Sequence, residues 1–94
     1  MAATFIARRV TTAHGRVETI YRLSRPLEDV SPPWRNVMLR EYPTGARTLS
    51  RAAAYERSDG SWAPVPNGSW IACYSPLSER DAAFALAEIA EARK

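Results

Sequence analysis

Lysine is almost missing from this sequence: twelve of the thirteen basic residues are arginine, and Lys94 is the exception. Cysteine and histidine are as scarce, with one of each, Cys73 and His14. A lone cysteine cannot close an internal disulfide, and with one histidine it cannot build a zinc site. A disulfide scaffold and a metal centre are therefore excluded, and a reducing, cytoplasmic setting is expected. No apolar run approaches the ~20 residues that a membrane-spanning helix needs. Four glycines form neither a P-loop nor a dinucleotide-binding turn, and no cofactor is expected. What remains is 46% hydrophobic and 24% charged over 94 residues, which excludes a disordered chain and leaves room for one core, a single domain over 1–94.

The charge is unevenly placed. Through Arg57 there are ten basic and five acidic residues, and from Ser58 onward three basic and five acidic. The front therefore carries +5 and the back −2 of the total +3. Such asymmetry orients a molecule on an anionic partner. The preference for arginine fits a GC-rich bacterial coding sequence, but base composition does not explain the clustering. Residues 1–17 contain no acid, like an organellar transit peptide, yet lack the long apolar stretch of a secretory signal. Export is not expected, and the segment reads better as a strand.

Residues 5–24 predict a β-hairpin about His14-Gly15. A two-residue loop sets Thr12 opposite Val17, Val10 opposite Thr19, Arg8 opposite Tyr21 and Ile6 opposite Leu23. One face then collects Ile6, Val10, Val17, Tyr21 and Leu23, with Arg8 laid across the Tyr21 ring. The other holds Phe5, Arg9, Glu18, Ile20 and Arg22. Pro26, Pro32 and Pro33 mark an irregular connection over 25–35, because proline cannot donate to a sheet ladder. Residues 36–42 predict the next strand, closed by Pro43-Thr44-Gly45.

Residues 47–57 carry two signals. Alanines 52–54 favour helix, with Leu49, Ala52, Ala53 and Glu56 at helical spacing. Ser58-Asp59-Gly60-Ser61 is a hairpin turn and needs a strand before it, so 52–57 is assigned as strand. Trp62 leads into an extended Pro-containing stretch. Residues 69–74 are apolar on both faces, as in a central strand. Ser78 followed by Asp81 resembles a capping box opening a helix to about Ala92. Its predicted core stripe is Ala82, Leu86, Ile89 and Ala90, which puts Phe84 on the far side beside Glu88 and Glu91.

Catalytic groups are few. His14 sits in a hairpin tip, a poor place to hold a general base, and Cys73 lies in an apolar strand where thiols are inert packing. Glu28-Asp29 read as solvated acids in a loop. Asn67-Gly68-Ser69 matches a glycosylation acceptor but reads as a turn. The expectation is no catalytic and no metal-binding residues.

The fold class predicted is α+β: an antiparallel sheet of four to five strands with one C-terminal helix packed on one face. Its second face is expected to display aromatics the helix cannot cover. The expected function is a small non-catalytic protein-binding module, with no membrane association, acting as a homodimer or on another protein or protein–nucleic-acid complex. Phe84, Glu88, Trp34 and Trp62 are the candidate partner-binding residues, Phe84 standing as an aromatic anchor in an acidic rim. Small motif-free proteins that act by occupying a surface include phage- or mobile-element-encoded inhibitors, anti-CRISPR proteins among them. The alternative is a nucleic-acid-binding protein using an arginine-rich sheet face, with Arg9, Arg16, Arg22 and Arg40 as phosphate contacts. Against it, the chain lacks an RRM-type aromatic motif, a GXXG loop and a helix-turn-helix pattern.

Overall fold

A computed structural model of the chain describes residues 2–11, 13, 15–31, 33–52, 54–64 and 77–94. Four antiparallel strands, β1 (Thr4–Thr11), β2 (Arg16–Arg22), β3 (Asn36–Glu41) and β4 (Arg47–Arg51), form a sheet in the order β1-β2-β3-β4. A separate hairpin pairs β5 (Ala54–Glu56) with β6 (Trp62–Pro64). The helix α1 (Glu79–Ala92) lies across one face of the four-stranded sheet. The α+β class with a C-terminal helix is as expected.

The β1–β2 hairpin is present, with a different register. Val10 pairs with Val17, Arg8 with Thr19 and Thr11 with Arg16, so the loop is residues 12–15 rather than two residues. Gly15 adopts φ 64°, and a Cβ there would meet Pro43 Cγ at 2.8 Å, so the turn needs glycine for conformation and for space. Farther along, the register shifts between Phe5 and Ala7. This β-bulge sends Ile6 and Ala7 to one face together, against Ile20, Met38 and Ala52. Phe5 crosses to the helix side, edge-on to Tyr21 at 6.3 Å. The sequence had placed each of Ile6 and Phe5 on the opposite face. The Tyr21 ring lies near the Arg93 guanidinium, at 5.8 Å. The side chains of Arg8 and Val10 lie outside the described residues.

Within 47–57, the stretches Arg47–Arg51 and Ala54–Glu56 are strand and not helix. β4 pairs with β3 through Leu39 and Leu49, and β5 belongs to the second hairpin. The expected turn joins β5 to β6: Arg57 N–H donates to the Ser61 carbonyl at 2.7 Å, and Gly60 takes φ 86°. The strand predicted over 69–74 lies outside the described residues, as do Cys73 and His14.

The helix-side core is Tyr21, Leu23, Leu27, Val37, Leu39, Ala85 and Ile89 with Ala3. Ser78 caps α1 as predicted, its Oγ accepting from Asp81 N–H at 3.2 Å. The stripe facing the core is Asp81, Ala85, Glu88 and Ile89, while Ala90 is exposed. Two carboxylates therefore point inward, and each is satisfied by the 24–29 connection. Asp81 accepts from the N–H groups of Glu28 and Asp29, both at 2.9 Å, instead of turning back to its own cap. Glu88 accepts from Ser24 N–H at 2.7 Å and Ser24 Oγ at 2.5 Å. With the stripe rotated this way, Phe84 and Leu86 flank it on either side, both half-buried against the core.

The second sheet face is buried too, contrary to expectation. Ile20 and Met38 are 2% and 1% exposed. Beside them Arg40 is also buried, its Nε donating to Glu18 at 3.1 Å and its Nη1 to Ser50 Oγ at 3.2 Å.

Candidate functional site

The connection between β2 and β3 carries the prolines, and they keep it out of the ladder without freeing it. Leu23 N–H donates to the Arg35 carbonyl at 2.7 Å and Leu27 N–H to the Trp34 carbonyl at 2.8 Å. Leu27 is buried in the core beneath. This excursion is thus tethered at its neck, and the residues at the neck are held in place.

Trp34 is one of them. Its ring packs on the helix-side core, and its Nε1–H donates to the Ala52 carbonyl at 3.0 Å. Arg35 follows directly, with Nε and Nη2 donating to the Leu23 carbonyl at 3.1 and 2.9 Å. Arg22 ends β2 and donates from Nη1 to Asn36 Oδ1 at 3.1 Å. The Arg22 guanidinium lies 5.0 Å from the centre of the Trp62 ring, and that of Arg51 lies 5.9 Å from the centre of Trp34. An open pocket of about 350 Å³ is lined by Arg22, Trp34, Arg35 and Asn36, with Pro26, Pro33 and Ala54.

The arginines of this patch lack ion-pair partners, as Arg47 and Arg57 also do among the described residues. Arg16, Arg25, Arg40, Arg80 and Arg93 each have a carboxylate within ion-pair distance. Among the described residues, Arg22, Arg35 and Arg51 have none. Burial, then the nearby charge of Arg35, pull the Arg22 guanidinium below the ordinary arginine range, and Glu56 opposes this only in part. The Arg35 charge makes a cationic Arg22 costlier, and a negative group in the pocket would relieve that cost. The arrangement suits an anion beside the Trp34 indole.

Trp34 thus shares a pocket with Arg22 from the phosphate-contact set, and Trp62 lies beside that Arg22 guanidinium. Phe84 is elsewhere, on α1, with the Arg25 guanidinium stacked 3.7 Å over its ring. Glu88 is 5% exposed and engaged by Ser24, so it does not form an exposed acidic rim. Arg16 pairs with Glu18 at 3.5 Å and Arg40 is buried on the same carboxylate, so neither is poised for phosphate. The Arg9 side chain lies outside the described residues. Glu28 and Asp29 are exposed as expected but not merely solvated, since both pair with Arg80.

Sequence reasoning missed Arg35 and Arg51. For Arg35 a signal was present, a Trp-Arg doublet directly after paired prolines. For Arg51 there was none, because its approach to Trp34 depends on how β4 leaves the sheet. Among the described residues no helix is long and apolar enough to cross a membrane. No protein-family model, curated protein or solved structure matches the chain.

Proposed function

We propose that this chain is a non-catalytic protein-binding module that engages an acidic surface of a protein, or of a protein–nucleic-acid complex, through Trp34, Trp62, Arg22, Arg35 and Arg51. The observation that carries the reading is a pocket lined by Trp34, Arg22 and Arg35, with Trp62 beside Arg22 and Arg51 beside Trp34, in which none of the three arginines has an ion-pair partner among the described residues. Tryptophan and arginine dominate the energetic centres of protein interfaces, where rigid rings supply area and guanidiniums supply directional charge. Both indoles already have a guanidinium nearby, and Trp34 is tied through Nε1 to Ala52. That order favours a preformed protein contact over open platforms for stacking bases. A module of this kind works by occupying a surface, as an inhibitor or accessory protein of the phage- or mobile-element-encoded class does. Nucleic-acid binding by a sheet face has less support, with Arg40 and Arg16 both committed to Glu18.

The test is capture from the native host by wild-type protein and by Arg22→Glu and Trp62→Ala variants, with and without nuclease. Circular dichroism verifies that each variant folds. A partner that survives nuclease and loses about 2 kcal/mol of affinity on either substitution supports the reading. Recovery abolished by nuclease, with affinity falling linearly in log–log form with salt, moves the assignment to nucleic acid.

A further inference from the structure

β4 is an outer strand of the sheet, with β3 its one neighbour among the described residues. Its hydrogen-bonding phase is set at both ends. Tyr42 N–H donates to the Ala46 carbonyl at 2.9 Å, and Ala52 N–H to the Asn36 carbonyl at 3.0 Å. In an antiparallel ladder such pairs recur at every second residue, so 46, 48, 50 and 52 turn their peptide groups toward β3. The N–H and C=O groups of Arg47, Leu49 and Arg51 therefore face away from β3, where no strand among the described residues pairs with them, a template for one more strand.

The side chains of the same three residues share the helix side of the sheet, where Leu49 packs against the core. Beside them runs a seam of about 260 Å³ whose walls are mainly Leu49, Leu77, Ala82 and Leu86. Arg47 is exposed, and neither it nor Arg51 has a carboxylate partner among the described residues. The edge thus reads cation, apolar, cation along one face.

That pattern decides between occupants. A second copy pairing antiparallel about Leu49 would set Arg47 opposite Arg51 of the other copy at both ends, and like charges directly opposite destabilise a strand pair. A segment with acids at positions one and five and a small apolar residue at position three meets both charges and fills the seam. We propose that β4 takes an extended acidic segment of a partner protein as an added antiparallel strand, with the pattern acid-x-apolar-x-acid facing the helix. The inference rests on the preceding reading in taking the partner to be a protein and shares Arg51 with it, while the backbone edge is separate from the tryptophan patch.

The probe is a fluorescein-labelled peptide, SDTVTDS, titrated with the full chain and followed by anisotropy. Saturable binding is expected, weakened about tenfold for SNTVTNS, and as much for wild-type peptide on an Arg47→Glu/Arg51→Glu chain, as two exposed ion pairs are lost or reversed. SKTVTKS should restore binding to that double variant. Methylating the valine amide, which would face β4, should abolish binding, while methylating the preceding threonine amide should not. Arg47→Glu alone keeps the test valid should the double variant fail to fold, since Arg47 is exposed. No saturation, indifference to Arg47→Glu, or equal sensitivity at the two amides overturns the proposal. Arg22→Glu should leave peptide affinity unchanged, so failure at β4 and failure at the tryptophan patch are separable.

Discussion

Ser24 and Glu88, sixty-four residues apart in the chain, are joined by two hydrogen bonds, the Ser24 N–H and hydroxyl both donating to one buried carboxylate. This contact fastens α1 to the start of the β2–β3 connection. Glu88→Ala leaves both donors unpaired and should cost about 2–4 kcal/mol in urea unfolding, at ~1–3 kcal/mol for each orphaned group. Glu88→Gln keeps an acceptor of the same shape and should cost less than half as much. Equal losses for the two variants would mean that packing, and not the hydrogen bonds, holds the helix.

Arg40 and Glu18 form a buried ion pair on the other face of the sheet, at 3.1 Å. Removing one partner strands a charge, so Arg40→Met alone should destabilise by about 3–5 kcal/mol. Arg40→Met with Glu18→Leu replaces the pair by apolar volume and should recover most of that loss. Arg16 complicates the double variant, because it also pairs with Glu18, is 30% exposed and would be left a partly buried cation without that carboxylate. Glu18→Leu alone completes the cycle, and chemical denaturation of wild type and the three variants gives the coupling energy directly.

Phe84 is half-buried, packed against the core on one side and covered by the Arg25 guanidinium on the other. Phe84→Ala should therefore cost about 2 kcal/mol of folding stability, below the ~3–5 kcal/mol of a fully buried ring. Arg25→Ala, which removes only the stacked cation, should cost about 0.5–1 kcal/mol. A variant at Phe84 that melts like wild type but captures partner less well would make the ring an interface anchor.

Asp29 accepts from Arg80 and from Ser78 Oγ, and these bonds hold its carboxyl below the usual carboxylate range. A group more acidic in the folded than the unfolded state stabilises fully above the unfolded value, about pH 4, and loses that contribution as pH falls through the lower folded value. Thermal melts of wild type and Asp29→Asn should accordingly differ most near neutral pH and converge in acid. The site is exposed, so high salt should narrow the neutral-pH difference as well. A difference in melting temperature that is constant with pH would exclude an ionic origin.

Much of the fold was legible because its signals are local. Ser78 capped a helix, Ser58-Asp59-Gly60-Ser61 closed a hairpin, and that turn outweighed the helix propensity of the alanines before it. The hairpin register was not legible, for a physical reason. Loops of two and four residues shift the pairing by two, and a shift of two leaves every side chain on the same face. Apolar alternation is blind to that difference, and equally blind to the bulge that moves Ile6 and Phe5 across the sheet.

The rotation of α1 had a different cause. Hydropathy treats Asp81 and Glu88 as solvent-seeking, yet both face inward, because the backbone N–H groups of Glu28 and Asp29 and the whole of Ser24 arrive there to bind them. Those donors lie more than fifty residues away in sequence. The candidate site follows the same rule: Trp34, Trp62 and Arg22 could each be singled out as a residue type, but not as neighbours. Periodicity, caps and turns act over a few residues of backbone and were set by the sequence itself. Which charges are neutralised and which stay unpaired is decided by through-space distance, and only the tertiary structure leaves Arg22, Arg35 and Arg51 without a carboxylate among the described residues.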